Sequence, residues 1–198
     1  MNKTAIIIPS RLNAQRLPNK PIKLINNKEM ILHVYEAALK SKADEVYVAS
    51  PDQEIIDIIK KFGGKSILTS KNHETGTDRV FEVFKKNLNS NPNIIINLQG
   101  DMPNIHSKTI NNLIDYMKKG ECKIGTLASK LSSNSELRDE NVVKVLVKEK
   151  LKPGMFVKAE DFVRVNNIKE FKAYHHIGIY AFTNKGLSSY VGLKRSKL

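Results

Sequence analysis

The chain has 198 residues, 40% hydrophobic and 27% charged, enough for one α/β domain with a substantial core. It shows no apolar run of membrane-spanning length and no signal-peptide pattern at its start, so cytoplasm is the expectation, and the single Cys122 excludes both an internal disulfide and a cysteine zinc cluster. The formal net charge of +13 comes from lysines spread over almost every segment, without an aromatic-rich stripe or a helix-turn-helix pattern, and so points to anionic small molecules and not to nucleic acid.

In chain order, residues 4–8 form a short aliphatic run closed by Pro9, the pattern of a buried parallel strand. The loop that follows carries Arg11, Arg16 and Lys20 and no acid. Arginine is scarce here, six against 27 lysines, yet two of the six lie in this loop. At the C-terminal edge of an open α/β sheet, such a loop suits a polyphosphate better than an apolar ligand. Helical spacing over residues 29–40 is followed by a strand at 45–50, a helix at 53–62 stopped by Gly63-Gly64, and a short strand at 65–69. A helix is expected over 76–88, a central strand over 93–98, and a helix over 107–118 with Ser107 as its N-cap. Residues 123–130, 141–147 and 175–182 read as strands, whereas 132–140 and 159–170 read as polar and irregular. The alternation of strand and helix predicts an α/β fold, a mostly parallel sheet with helices on both faces. No linker marks a second domain, so residues 1–198 are expected to form a single domain with a regular half, 1–130, and a looser extension, 131–198.

Three further stretches carry chemistry. Asp101, after Gln99 and Gly100 at the end of the central strand, could hold a hard cation shared with substrate phosphates, although a turn aspartate would look the same. His73-Glu74-Thr75-Gly76-Thr77-Asp78-Arg79 opens a helix with polar groups able to read a base edge or a hydroxyl; a capped helix explains most of it. Along residues 174–180, alternation puts His176, Gly178 and Tyr180 on one face and His175, Ile177 and Ile179 on the other, so the two histidines do not readily share one metal ion.

The segments P-S-R-L-N-A-Q-R-L-P-N-K-P, V-A-S-P-D, H-E-T-G-T-D-R, N-L-Q-G-D-M-P, E-N-V-V-K-V and H-H-I-G-I-Y-A-F stand in the order and spacing of the 3-deoxy-manno-octulosonate (Kdo) cytidylyltransferases, and from about Ile6 to the last residue the chain resembles that family. The resemblance implies a Rossmann-like nucleotide-sugar transferase fold and a nucleotidyltransferase, usually a homodimer, that uses CTP and Mg2+ to activate the sugar acid for lipopolysaccharide. It assigns Arg11, Arg16 and Lys20 to the triphosphate, and Thr75, Gly76, Arg79 and Gln99 to the cytidine side. Asp101 would take the metal, and His176 and Tyr180 the sugar acid. Met102 stands where the family has glutamate, and Lys158 where it has an arginine for the sugar carboxylate, an exchange that is not neutral. The family also continues past residue 198, so the chain is expected to lack a C-terminal segment that completes the metal site, to bind CTP, and to turn over poorly. A sialic-acid or methylerythritol-phosphate cytidylyltransferase and a non-catalytic nucleotide-binding remnant are the rival readings.

Overall fold

The elements are the strand β1 (Thr4–Pro9), a 3-10 turn (Lys20–Ile22), β2 (Leu24–Ile25), β3 (Lys28–Glu29), the helix α1 (Met30–Leu39), β4 (Glu45–Ser50), α2 (Gln53–Lys61), β5 (Ser66–Leu68), α3 (Gly76–Asn87), β6 (Ile94–Asn97), α4 (Ser107–Met117), β7 (Ile124–Ser129), α5 (Asn134–Arg138), β8 (Lys144–Val147), β9 (Asp161–Val163), β10 (Lys172–Thr183) and α6 (Asn184–Val191). This computed structural model describes residues 3–13, 17–88, 90–164 and 171–194. The chain divides into two units, a larger one of Met1–Gly125 with Ile179–Leu198 and a smaller one of Thr126–Gly178.

In the larger unit the strands run β5-β4-β1-β6, all parallel, and the second half of β10 pairs antiparallel with β6. All six residues of β1 are buried, which is why the strand is aliphatic throughout and does not alternate. Ala5 and Ile7 join Ala49, Ile95 and Phe182 in a cluster closed by Val80, Val83 and Phe84 of α3 and by Leu187 of α6. Ile6 and Ile8, also at 0% exposure, point by strand alternation to the opposite face. Helices α1 and α2 pack on β4, and α1 also meets α4. Full burial of one such isoleucine contributes about 1.5–3 kcal/mol, so Ile7→Ala is a change that would damage this layer.

In the smaller unit the first half of β10 pairs antiparallel with β8, and β8 with β9. Val145, Val147 and Tyr174 form its buried cluster, and Tyr174 spends its hydroxyl by accepting the Leu151 N–H at 2.9 Å.

The α/β alternation and the strands over residues 4–98 stand as the sequence predicts. Four expectations need correction. Residues 132–140 are not wholly irregular, because α5 forms there with Ser133 as its cap, accepting the Glu136 N–H. Residues 159–170 contain β9, whose three residues are too few to show a period. The cap of α4 is His106, without a side-chain hydrogen bond, and Ser107 is the first helical residue. The 131–198 extension is not one continuous piece, since the chain re-enters the larger unit at Ile179 and finishes in α6, a helix the sequence reading does not include.

Candidate functional site

Pro9 ends β1 and starts the site. Beyond it the Ser10 N–H still reaches the Ala49 carbonyl at 2.9 Å, and Leu12 N–H donates to the Asp52 carboxylate at 2.8 Å, so the loop leaves the sheet tied to the neighbouring strand end. The loop closes where the Asn19 N–H donates to the Leu12 carbonyl at 3.0 Å. Asn19 takes a left-handed conformation, φ 59°, which asparagine tolerates better than most side chains, and it delivers Lys20 at the start of the 3-10 turn. Arg11 and Lys20 therefore stand near the two ends of one short loop.

Two glycines bring the other walls close. A Cβ on Gly76 would lie 3.1 Å from Pro9 Cγ, and one on Gly100 would lie 3.1 Å from Ile31 Cδ1 and 3.2 Å from the Pro9 carbonyl. The start of α3 and the turn after β6 can both press on the end of β1 because neither position carries a side chain. The result is a cavity of about 300 Å3 lined by Pro9, Ser10, Arg11, Lys20, Pro21, His73, Glu74, Thr75, Gly76, Arg79, Gln99, Gly100 and Asp101. Of the residues expected from the sequence, Arg11, Lys20, Thr75, Gly76, Arg79, Gln99 and Asp101 thus meet in one place. Arg16 lies outside the described residues.

Each side chain has a distinct state. Thr75 caps α3 in a reciprocal box with Asp78: its hydroxyl accepts the Asp78 N–H, and the Asp78 carboxylate accepts from the Thr75 N–H at 2.9 Å. Gln99 donates to Asn97 at 3.0 Å, and buried Asn97 donates to Thr77 at 3.1 Å, which joins the end of β6 to the first turn of α3. Arg79 is only 3% exposed. Its guanidinium donates to the Thr69 hydroxyl and to the Ser70 carbonyl, the latter at 2.9 Å, so it holds the segment before α3 in addition to lining the cavity. Burial, and then the neighbouring Arg11 charge, pull the Arg79 guanidinium below its usual value, while Asp52 and Glu82 act the other way. Two like charges held this close in a partly dry site favour an anion between them.

Lys20 Nζ lies 2.9 Å from Asp101 Oδ2, with the carboxylate side chain 55% exposed. The pair is open enough for solvent to screen it, so a ligand can separate the two at small cost.

Sequence reasoning missed Glu82. Its carboxylate accepts from His73 Nε2 at 2.5 Å and from the Ser70 N–H at 3.0 Å, which fastens the same segment that Arg79 holds. Burial alone would raise the Glu82 carboxyl, but the bonds from His73, Ser70 and Lys86 outweigh it and keep it below its ordinary range. The signal was its spacing, one helical turn after Arg79.

The residues expected on the acceptor side lie elsewhere. Lys158, in the smaller unit, has a side chain 84% exposed and sits 3.7 Å from Glu160. His176, in the same unit, contacts Thr126 at 3.0 Å. Tyr180 is in the larger unit, where burial and Tyr190 raise its phenol, and it is not among the residues lining the cavity.

A cation-lined cavity with one carboxylate, at the C-terminal end of a parallel sheet, defines a phosphate-binding α/β protein. The cytidylyltransferase family matches residues 5–198, and the chain belongs to it, a family of nucleotidyl-transferring enzymes. It is 40% identical over 206 residues to the 3-deoxy-manno-octulosonate cytidylyltransferase of Thermodesulfovibrio yellowstonii, covering 98% of this chain and 81% of that protein. It is 34% identical to the 8-amino-3,8-dideoxy-manno-octulosonate cytidylyltransferase of Shewanella amazonensis, covering 100% and 81%. The fold matches the solved structure of CMP:2-keto-3-deoxy-manno-octonic acid synthetase complexed with CTP, with a TM-score of 0.86, 35% identity, and coverage of 98% and 80%.

Proposed function

We propose that the protein is a cytoplasmic 3-deoxy-manno-octulosonate cytidylyltransferase that converts CTP and Kdo into CMP-Kdo and pyrophosphate for lipopolysaccharide, working as a homodimer. The observation that carries this is the convergence of Arg11, Lys20 and Arg79 on one cavity with Asp101 opposite Lys20. The anomeric hydroxyl of the sugar acid attacks the α-phosphorus while the bond to the β-phosphate oxygen breaks, and pyrophosphate leaves with the electron pair. No protein nucleophile is required, because charge stabilisation and placement dominate such transfers. Arg11, Lys20 and, outside the described residues, Arg16 are assigned to the triphosphate. Thr75, Gly76, Arg79 and Gln99 are assigned to the cytidine side, and His176, Tyr180 and Lys158 to the sugar acid.

Among the described residues no three acidic, histidine or cysteine side chains come together as a metal cluster. A single carboxylate beside phosphate oxygens is nonetheless a donor set that suits Mg2+, which keeps several waters and binds through one or two carboxylates plus substrate phosphates. Asp101 would hold that ion, and the ion when bound would neutralise charge on the leaving pyrophosphate.

The test is pyrophosphate release from CTP with Kdo, its 8-amino analogue and sialic acid in parallel, with Mg2+. Turnover preferring Kdo is expected; equal or better use of another acid overturns the substrate. Asp101→Asn should remove the Mg2+ dependence of CTP binding and shift stability by less than about 1 kcal/mol, because the pair it breaks is exposed.

A further inference from the structure

Thr126 begins the smaller unit, and its hydroxyl has two partners there. Thr126 Oγ1 lies 3.2 Å from the Ile177 carbonyl oxygen and 3.0 Å from His176 Nε2. A hydroxyl has one proton, and a carbonyl oxygen can only accept. If the proton pointed at the ring, two acceptor oxygens would face each other at 3.2 Å with nothing between them. With the proton on the Ile177 side, the threonine oxygen is left to accept, and the ring nitrogen facing it must carry the hydrogen.

The ring is held in other ways as well. The Phe162 ring meets it edge-on, with centroids 5.0 Å apart and planes at 72°, and the His176 N–H donates to the Val143 carbonyl at 3.0 Å. Burial first, and then the neighbouring His175, push the His176 imidazole below its usual value, so it is neutral at pH 7. A neutral imidazole has one N–H, and with that hydrogen on Nε2 the acceptor atom of the ring is Nδ1.

We propose that Thr126 is a positioning residue for His176: it fixes the imidazole as the Nε2–H tautomer and so presents Nδ1 as an acceptor to a hydroxyl of the sugar acid. This rests on the assignment of His176 to the acceptor made above. The geometry selects a donor on the ligand, a hydroxyl, and rejects a bare carboxylate oxygen as the partner of that atom.

The experiment has two arms that fail separately. In the first, 15N-histidine-labelled protein is examined by two-bond 1H–15N correlation spectra, which distinguish the two neutral tautomers. The His176 signals should show the Nε2–H pattern in the wild type and in Thr126→Ser, and should lose that preference in Thr126→Val, which keeps the side-chain shape and removes the hydroxyl. An Nδ1–H pattern in the wild type, or an unchanged pattern in Thr126→Val, overturns the proposal. In the second arm, Thr126→Val should raise KM for the sugar acid about fivefold to tenfold, the size of one lost hydrogen bond, while leaving CTP affinity unchanged. Thr126→Ser should restore the wild-type KM. A rise in both constants, or failure of serine to rescue, would assign Thr126 to general packing and overturn the positioning role. If His176→Ala leaves the sugar-acid KM unchanged while the tautomer result holds, it is the assignment of His176 to the acceptor that fails.

Discussion

Lys20 in the larger unit and Lys144 in the smaller one are the same residue type put to opposite uses. Lys20 keeps a side chain 32% exposed and meets one carboxylate that solvent also reaches. Lys144 is 0% exposed, and its Nζ donates to three carbonyl oxygens, those of Asp139 at 2.8 Å, Val142 at 2.9 Å and Arg164 at 2.7 Å. An ammonium group has three hydrogens, and Lys144 has committed all of them to the backbone. It acts as an internal clamp joining the turn before β8 to the end of β9. A ligand-facing cation differs from a structural one in how many of its donors are already taken, and charge alone does not separate them.

The sharpest way to break that contrast is Lys144→Met. Three carbonyls lose their donor at once, and each buried group left unsatisfied costs about 1–3 kcal/mol, so a loss of about 3 kcal/mol or more is expected in chemical denaturation. A loss below about 1 kcal/mol would show that the clamp is dispensable. Lys20→Met, by the same measure, should hardly change stability and should appear in CTP affinity.

Arg11→Ala tests the ligand-facing side. One lost charge-assisted contact is worth about 1.5–3 kcal/mol, so CTP should bind about 10- to 100-fold more weakly while cytidine binding is unchanged, measured by calorimetry. Equal loss for the two ligands would mean that Arg11 does not read phosphate.

The smallest effect concerns Glu136 in the smaller unit. Bonds from Ser132 first, and then His175, hold its carboxyl down from 4.5 to about 2. A carboxyl lowered by folding stabilises the fold above its unfolded value, and that contribution disappears as the pH falls from about 4.5 towards 2. Denaturation midpoints of the wild type should decline over that window more steeply than those of Glu136→Gln. Parallel curves would remove Glu136 from the acid response.

What could be read from the sequence follows from how local its cause is. The parallel strands declare themselves because both faces are buried and the runs are continuously aliphatic, and Gly76 and Gly100 stand out as residues that permit close approach. The cavity was legible for the same reason: its residues lie at strand ends and at one helix start, positions that local pattern locates. The short helix α5 was not legible, because one turn is too little for a period and Glu136 is engaged by His175, 39 positions away. The second use of Arg79 was hidden as well, since only burial reveals that its guanidinium holds Thr69 and Ser70. Lys144 sat within a quoted motif, yet nothing in its neighbours announces the three carbonyls.

The Lys20–Asp101 pair also bears on which anions the cavity admits. Between turnovers the lysine already has a counter-charge, so an incoming anion competes with a carboxylate that is tethered and always present. A lone inorganic phosphate that claims Lys20 must displace that resident partner for a gain of only one or two contacts. A triphosphate reaches Arg11 in the same event and spreads the exchange over several groups. The internal pair thus works as a threshold, passed by ligands with several linked phosphates and missed by the small anions that crowd a cell.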